Sequence, residues 1–349
     1  MATVTIVGAG MMGSALAFPA AENGHIVRVV GTHLDREIID FCRKNGRHPK
    51  FDAYFTGGKT FPPNVKFYQI EELSIALQGT DLLIGGISSF GVDWFSDTVL
   101  NIIPENLPVL TVTKGLINLP DGRLICFPDY WEQKNKGKKL SISAIAGPCT
   151  SYELVAHDNT VVTYCGKDLT VLERIRRIMQ TNYYHIALST DVVGVESAVA
   201  LKNGYALGVA MTIGLNEINK NLCDKEHYNS QAAAFGQAAK EMRKLIFHLG
   251  GGADSIDLGI GDLYVTVFGG RTRLLGRLLG RGLTVSEAMA ELAGVTLESR
   301  VIAERVARAI QVQGKDGKLN AKEFPLLTHV DAVLKGEAVA ELPWGKFTV

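Results

Sequence analysis

Nothing in this chain supports a disulfide or zinc framework. Its five cysteines (Cys42, Cys126, Cys149, Cys165, Cys223) are scattered, with no CxxC and no histidines at metal-ligand spacing, so a reducing compartment, the cytoplasm, is expected. An excess of one charge is lacking too. Lys plus Arg and Asp plus Glu number 36 each, which leaves no basic surplus for nucleic acid and no acidic tail. Uninterrupted apolar runs are also missing: the longest, Val192 to Leu215, contains Glu196, Lys202 and Asn203, so no membrane span is expected. The start, "MATVTIVGAG", has no basic n-region and runs straight into a strand pattern, which argues against a signal peptide. A GxSxG elbow is absent and the eight histidines show no nucleophile–base pairing, so hydrolase chemistry has no support.

What is present is enough apolar material for a real core. With 349 residues, 46% of them hydrophobic, the chain is long enough for two domains. Up to about residue 188, short β-branched runs ("TVTIVGA", "HIVRVVG", "DLLIGGIS", "VLTVTKG", "SISAIAGP", "VVTYCG") alternate with helical patterns. That alternation predicts a Rossmann-type, doubly wound parallel sheet. From Asp191 onward helical patterns dominate, over 191–220, 229–249, 254–267, 284–292, 297–312 and 323–335. The expected organisation is a dinucleotide-binding domain, 1–188, followed by an all-α domain, 189–349. The Lys-rich stretches 132–140 and 314–320 read as solvated turns.

"VTIVGAGMMGSALAF" places Gly8, Gly10 and Gly13 between a strand and a helix, with Met11 and Met12 at the helix start. This is a dinucleotide loop: the first glycine allows the tight turn, the second lets a pyrophosphate reach the backbone, and the third lets helix and strand pack closely. The helix start supplies amide donors. The second strand should end in an acid if ribose hydroxyls are held there, but it ends in Gly31-Thr32-His33. Asp35 reads first as the cap of the helix "REIIDFCRKN". His33 and Arg36 offer partners for a 2′-phosphate, so the cofactor is expected to be NAD or NADP.

The apolar run "ESAVALKNGYALG" holds a lysine, Lys202, flanked on its helical face by Ala198, Val199, Tyr205 and Ala206. An ammonium placed there needs a partner or a task. The bland reading is a snorkelling or salt-bridged lysine. Other stretches combine polar, chemically capable residues with glycines: "TVTKGL", "AIAGPCTSYE" and "GIGDLYVTVFGGRTR". Each has a structural reading as well. Lys114 could end a strand, Asp262 could cap a helix after Gly261, Glu298 could be a first-turn acid, and Arg271, Arg273, Arg277 and Arg281 could form a solvated basic face. Glu196 reads as structural.

In this order, from the glycine loop through "TKG", "AGP", "ALKN", "GDLYVT", "GGR" and "FPLL…VLKGEAVAEL", the chain resembles the nicotinamide-dependent glycerol-3-phosphate dehydrogenases along essentially its whole length. The resemblance implies hydride transfer between NAD(P) and a small phosphorylated substrate. It implies catalytic roles for Lys202 at the substrate carbonyl, Lys114 and Asp262. Substrate contacts would come from Lys114, Gly147, Cys149, Asn203, Thr266, Arg271 and Thr272. Cofactor contacts would come from Gly8, Gly10, Met11, Met12, Gly13, Lys114, Ser151, Arg271 and Glu298. The expected assembly is a homodimer. The chain departs from the family pattern at Thr272, where asparagine is common, at Cys149-Thr150-Ser151, and at Ser299, where glycine is common. Two alternatives therefore stand beside glycerol-3-phosphate oxidation: reduction of another short phosphorylated ketose or hydroxy acid, and dinucleotide sensing without turnover. A sensor needs no proton donor such as Lys202.

Overall fold

The computed structural model describes residues 1–219, 227–293 and 298–347, so Cys223 lies outside the described residues. Two compact units emerge: Met1–Lys114 with Phe127–Val192, and Gly115–Cys126 with Val193–Val349. The division at Val192 falls four residues beyond the boundary expected from the sequence, and the segment 115–126 groups with the second unit.

The first unit begins β1 (Thr3–Val7), α1 (Met11–Ala15), α2 (Ala17–Glu22), β2 (Ile26–Val30), α3 (Arg36–Asn45) and β3 (Val65–Tyr68). It continues α4 (Leu73–Ala76), β4 (Leu82–Gly85), α5 (Val92–Phe95) and β5 (Pro108–Thr111). Two short strands of the second unit, β6 (Leu116–Asn118) and β7 (Leu124–Cys126), come next in the chain. The first unit then resumes with α6 (Phe127–Lys134), β8 (Ser141–Ala146), α7 (Ser151–Val155), β9 (Thr160–Gly166), α8 (Leu169–Met179) and β10 (Tyr184–Ser189).

Eight strands form one sheet in the order β10-β9-β8-β5-β4-β1-β2-β3. From β3 to β8 neighbours are parallel, the Rossmann order with β1 at the centre. The parallel, doubly wound sheet expected from the sequence is present, with one antiparallel pairing: β9 runs antiparallel to β8, and β10 follows β9 in parallel. The core strands are apolar along their length, with Val4, Ile6, Leu82, Leu83, Ile84, Val109 and Leu110 fully buried, as a sheet covered on both faces requires. The helix expected over "REIIDFCRKN" is α3, and it stops where Gly46 adopts φ +65° and returns its N–H to the Cys42 carbonyl. The stretch 132–140 is more than a solvated turn. Its first residues complete α6, and the buried Asn135 amide donates to the Ser96 hydroxyl at 2.9 Å.

The second unit holds α9 (Val192–Ile218), α10 (Tyr228–His248), α11 (Ile256–Phe268), α12 (Gly270–Gly280), α13 (Val285–Glu291), α14 (Glu298–Lys315) and α15 (Pro325–Leu334). It is not purely helical, because β6 and β7 pair as an antiparallel hairpin across the "LPDG" turn. The hairpin is tied to α14. Arg305 donates to the Leu116 carbonyl at 2.7 Å, Asn118 to the Arg305 carbonyl at 2.9 Å, and Gln313 to the Gly122 carbonyl at 3.0 Å. By length and hydropathy α9 could cross a membrane, but 83% of its most apolar window is buried inside the protein, so it is a core helix.

Helix α12 lies outside the helical patterns expected from the sequence, and it carries two glycines, Gly276 and Gly280, in its interior and at its end. Here they make a close seam. A Cβ on Gly276 would lie 2.5 Å from Ala210 Cβ, and one on Gly280 would lie 2.1 Å from the Met211 carbonyl, both on α9. Arg277 and Arg281 both pair with Glu217 at the end of α9, a cluster of ion pairs on the solvated surface.

A buried acid caps α15. Glu241 of α10 accepts from the Leu326 N–H at 2.8 Å, the Leu327 N–H at 3.1 Å and Gln237 at 2.7 Å. Burial nevertheless pushes its carboxyl up from 4.5 to about 7, against the pull of those donors. The folded protein thus binds this proton more tightly than the unfolded chain. The associated stability is fully present below pH 4.5 and is lost as the pH rises through about 7. Urea unfolding of wild type and Glu241→Gln at pH 5 and pH 8 should show wild type losing its relative advantage at the higher pH. A constant difference between the two proteins would refute the assignment.

Candidate active site

The glycine loop leaves β1 at Gly8, whose φ of +111° is reserved for glycine. Gly8 and Gly13 are also demanded by packing: a Cβ on Gly8 would lie 2.5 Å from the Gly86 carbonyl, and one on Gly13 would lie 2.2 Å from the Gly8 carbonyl. Gly10 differs. Its φ/ψ of −66°/171° suits any residue, and a Cβ there would meet no protein atom within 4 Å. Met11, Met12 and Gly13 follow as the first residues of α1, both methionines half-buried. The helix is interrupted at Leu16, because Pro19 has no N–H to offer the Ala15 carbonyl.

Asp35 sits at the N-cap position of α3 but makes no side-chain cap bond, which corrects the sequence expectation. Its Oδ2 instead accepts from the Ala9 N–H (3.2 Å), the Thr32 N–H (2.9 Å) and the Thr32 hydroxyl (2.8 Å). The carboxylate is drawn back onto the glycine loop. Arg36 pairs with Glu71 on the surface, and the His33 ring lies edge-on to Trp94.

Lys114 follows β5 and donates to the Gly147 carbonyl at 3.1 Å, so the "TKG" and "AGP" segments meet. Gly147, at φ +114°, turns the chain out of β8. Cys149 is half-buried against the sheet core, and Ser151 opens α7, which packs on α1.

In the second unit Lys202 lies in the middle of α9, 8% exposed, among the fully buried Ala198, Val199, Tyr205 and Ala206. Its ammonium donates to Asp262 Oδ1 at 2.9 Å and to Thr266 Oγ1 at 2.6 Å. The Thr266 hydroxyl hydrogen goes to the Asp262 carbonyl at 2.7 Å, which leaves the oxygen lone pairs to accept from the lysine. Asp262 and Thr266 stand one turn apart on α11, and Asp262 is mid-helix rather than a cap. Their approach to Lys202 depends on Gly259, where a Cβ would lie 3.0 Å from both the Cβ and the carbonyl of Ala198. That contact sets α11 against α9 one turn before the ion pair. The pair is a compensated buried cation, the arrangement in which an ammonium tolerates loss of water.

Asn203 is half-buried next to Lys202 on α9. Arg271 is the second residue of α12, after Gly270 at φ +83°; its guanidinium is exposed, and among the described residues nothing pairs with it. Thr272 beside it is buried. Glu298 is the first residue of α14, so it is a first-turn acid in position.

Two sequence families divide the chain between them. Residues 3–171 match the N-terminal part, and residues 191–342 the C-terminal part, of NAD-dependent glycerol-3-phosphate dehydrogenase. The NADP(+)-dependent glycerol-3-phosphate dehydrogenase of Archaeoglobus fulgidus is 33% identical over 321 residues, 90% of this chain and 92% of that protein. The chain belongs to the NAD-dependent glycerol-3-phosphate dehydrogenase family. The glycerol-3-phosphate dehydrogenase [NAD(P)+] of Fusobacterium nucleatum is 28% identical, with 98% of this chain and 96% of that one covered. In fold, the chain is similar to the crystal structure of glycerol-3-phosphate dehydrogenase from Coxiella burnetii, with a TM-score of 0.80 at 22% identity over 97% of this chain and 96% of that one.

The loop of this dehydrogenase fits the dinucleotide that the family uses. The space a Cβ would fill at Gly10 is open, and the backbone there has no need of glycine for its own sake. That open space leaves room for a pyrophosphate to approach the loop amides. One contact with the loop escaped the sequence reading. His48, fully buried, places its Nε2 2.9 Å from the Ala9 carbonyl. No local pattern marks it, since the contact spans 39 residues.

Proposed function

We propose that this dehydrogenase interconverts sn-glycerol 3-phosphate and dihydroxyacetone phosphate with NAD(P), with Lys202 acting at the carbonyl oxygen. The observation that carries this reading is the buried cluster of Lys202, Asp262 and Thr266. The dinucleotide, when bound, supplies the hydride that adds to the ketone carbon. As that C–H bond forms, the carbonyl π pair moves onto oxygen, and the developing charge needs a cation or acid within hydrogen-bond reach. Lys202 donates there and yields the proton to the alkoxide, recovering it from solvent. Asp262 balances the ammonium charge and Thr266 fixes its position, so the donor is oriented before the substrate arrives. In the oxidative direction the same lysine, deprotonated, accepts the hydroxyl proton.

The other candidate residues take supporting roles in this reading. Asn203 and Lys114 contact the substrate, Gly147 and Cys149 line its surroundings, and Ser151 and Glu298 serve the cofactor, Glu298 at the nicotinamide end. Gly8, Gly10, Met11, Met12 and Gly13 hold the pyrophosphate. Arg271 takes the substrate phosphate, because an exposed guanidinium without a partner offers a fork of charged donors that suits a dianion. Thr272 contributes one hydroxyl where an asparagine would offer two amide hydrogens. A homodimer in the cytoplasm completes the reading.

The test follows NAD(P)H oxidation with dihydroxyacetone phosphate and with unphosphorylated dihydroxyacetone. Wild type should strongly prefer the phosphorylated ketone. Loss of a charged hydrogen-bonding partner predicts that Arg271→Ala raises KM for dihydroxyacetone phosphate by roughly 10- to 100-fold. The already poor reduction of dihydroxyacetone should hardly change. Equal use of both ketones by wild type, or equal harm to both in the variant, would defeat the phosphate assignment. Binding of NAD(P)H with no turnover of any phosphorylated ketone would favour a sensor.

A further inference from the structure

We propose that His48 and Asp35 act as positioning residues for the cofactor, holding the Ala9 carbonyl and N–H respectively so that the glycine loop is shaped before the dinucleotide arrives. The inference rests on the reading of this loop as the dinucleotide site. Ala9 lies between two glycines, a stretch whose backbone freedom is greatest. It sits after β1 and before α1, so neither the sheet nor the helix ladder takes up its N–H. Side chains from elsewhere do so. Asp35 Oδ2 accepts the Ala9 N–H, and that carboxylate is itself oriented by the N–H and hydroxyl of Thr32. His48 Nε2 meets the Ala9 carbonyl at 2.9 Å, and the Ser14 hydroxyl adds a longer bond to the same oxygen at 3.3 Å.

The imidazole has a defined role in this contact. Its Nδ1 accepts from the Lys50 N–H at 3.1 Å, so the ring hydrogen is on Nε2 and is donated to Ala9. The ring is fully buried beside Phe51, with centroids 5.0 Å apart. Burial also lowers its pKa, which keeps it in this neutral form. The clamp thus joins three places far apart in the chain, the loop, the turn after β2 and the segment after α3. A preorganised loop binds its ligand without first ordering itself. The expected consequence falls on cofactor affinity, with the ketone end of the reaction spared.

His48→Phe keeps a buried ring of similar size and removes the donor, whereas His48→Gln places an amide hydrogen near the position of Nε2. Fluorescence titration of the full chain with NADH and NADPH should show His48→Phe weakening binding by roughly 3- to 10-fold, the usual size of one lost buried hydrogen bond, because the longer Ser14 bond to the Ala9 carbonyl remains; His48→Gln should recover most of it. At saturating cofactor, kcat and KM for dihydroxyacetone phosphate should stay within about two-fold of wild type, as expected when only cofactor positioning is lost. In the cofactor-free protein, hydrogen exchange at the Ala9 and Gly10 amides should be faster in His48→Phe than in wild type. If His48→Phe fails to fold, Asp35→Ala and Asp35→Asn give the same comparison, since the asparagine carbonyl can occupy the Oδ2 position. The proposal is overturned if a folded His48→Phe binds both dinucleotides as wild type does, or if cofactor and ketone constants worsen together. Wild type binding neither dinucleotide would instead defeat the underlying cofactor reading, and the exchange measurement would still report on the clamp.

Discussion

Lys202→Ala is expected to lower turnover by about 100-fold or more, the usual size of a lost general acid or charge at a developing oxyanion. NADH binding should persist, because Gly8, Gly10 and Gly13 are remote from α9 in the chain and keep their own packing. The variant carries a second expected effect. Asp262, whose side chain is only 4% exposed, would lose its cation, and removing one partner of a buried pair typically costs about 3–5 kcal/mol. Loss of activity in Lys202→Ala alone could therefore reflect damage to the helical unit. The double variant Lys202→Met with Asp262→Leu separates the two effects, since replacing a buried pair with apolar residues of similar volume is often neutral. It should recover the melting temperature and remain inactive. A well-folded double variant with turnover near that of wild type would remove Lys202 from the mechanism.

Gly10→Val is expected to abolish cofactor binding at working concentrations while leaving the fold intact. The backbone at Gly10 is in a region valine adopts readily, and its Cβ position is open. The protein has no objection to the side chain. A pyrophosphate approaching the loop would have one, and losing even one charged contact to an amide donor costs about 1.5–3 kcal/mol, roughly 10- to 100-fold in affinity. Gly13→Ala should behave in the opposite way, because its new methyl would meet the Gly8 carbonyl at 2.2 Å. That variant should lose thermal stability before binding is even measured. Calorimetry and NADH titration on both variants make the contrast. Undiminished cofactor binding in Gly10→Val would reduce the loop to a structural turn.

Much of this molecule was legible without coordinates. The alternation of β-branched runs with helical patterns is a local property, and β1, β2, β4, β5, β8 and β9 lie where those runs predict them. The Gly8, Gly10 and Gly13 spacing and the placement of Lys202 on an apolar helix are local too. What could not be read were outcomes of packing between distant parts of the chain. Helix α12 was not expected, and Gly276 and Gly280 set it in close contact with α9, which no helix propensity records. Strand β9 is apolar whichever way it runs, so its antiparallel pairing with β8 left no trace in its periodicity.

The same division holds at the site. The motif "ALKN" and the acid of "GDL" pointed to a lysine and a carboxylate in one pocket, but their 2.9 Å contact spans 60 residues and depends on Gly259 lying against Ala198. Asp35 looked like a helix cap because side-chain capping is the nearest local use for an acid at that position. Only the folded chain brings the Ala9 N–H within its reach, and brings His48 to the carbonyl of the same residue. Periodicity and turn chemistry decided the elements, because each acts over a few residues. Which side chains meet was decided by how closely those elements could approach, and that is a property of the three-dimensional packing alone.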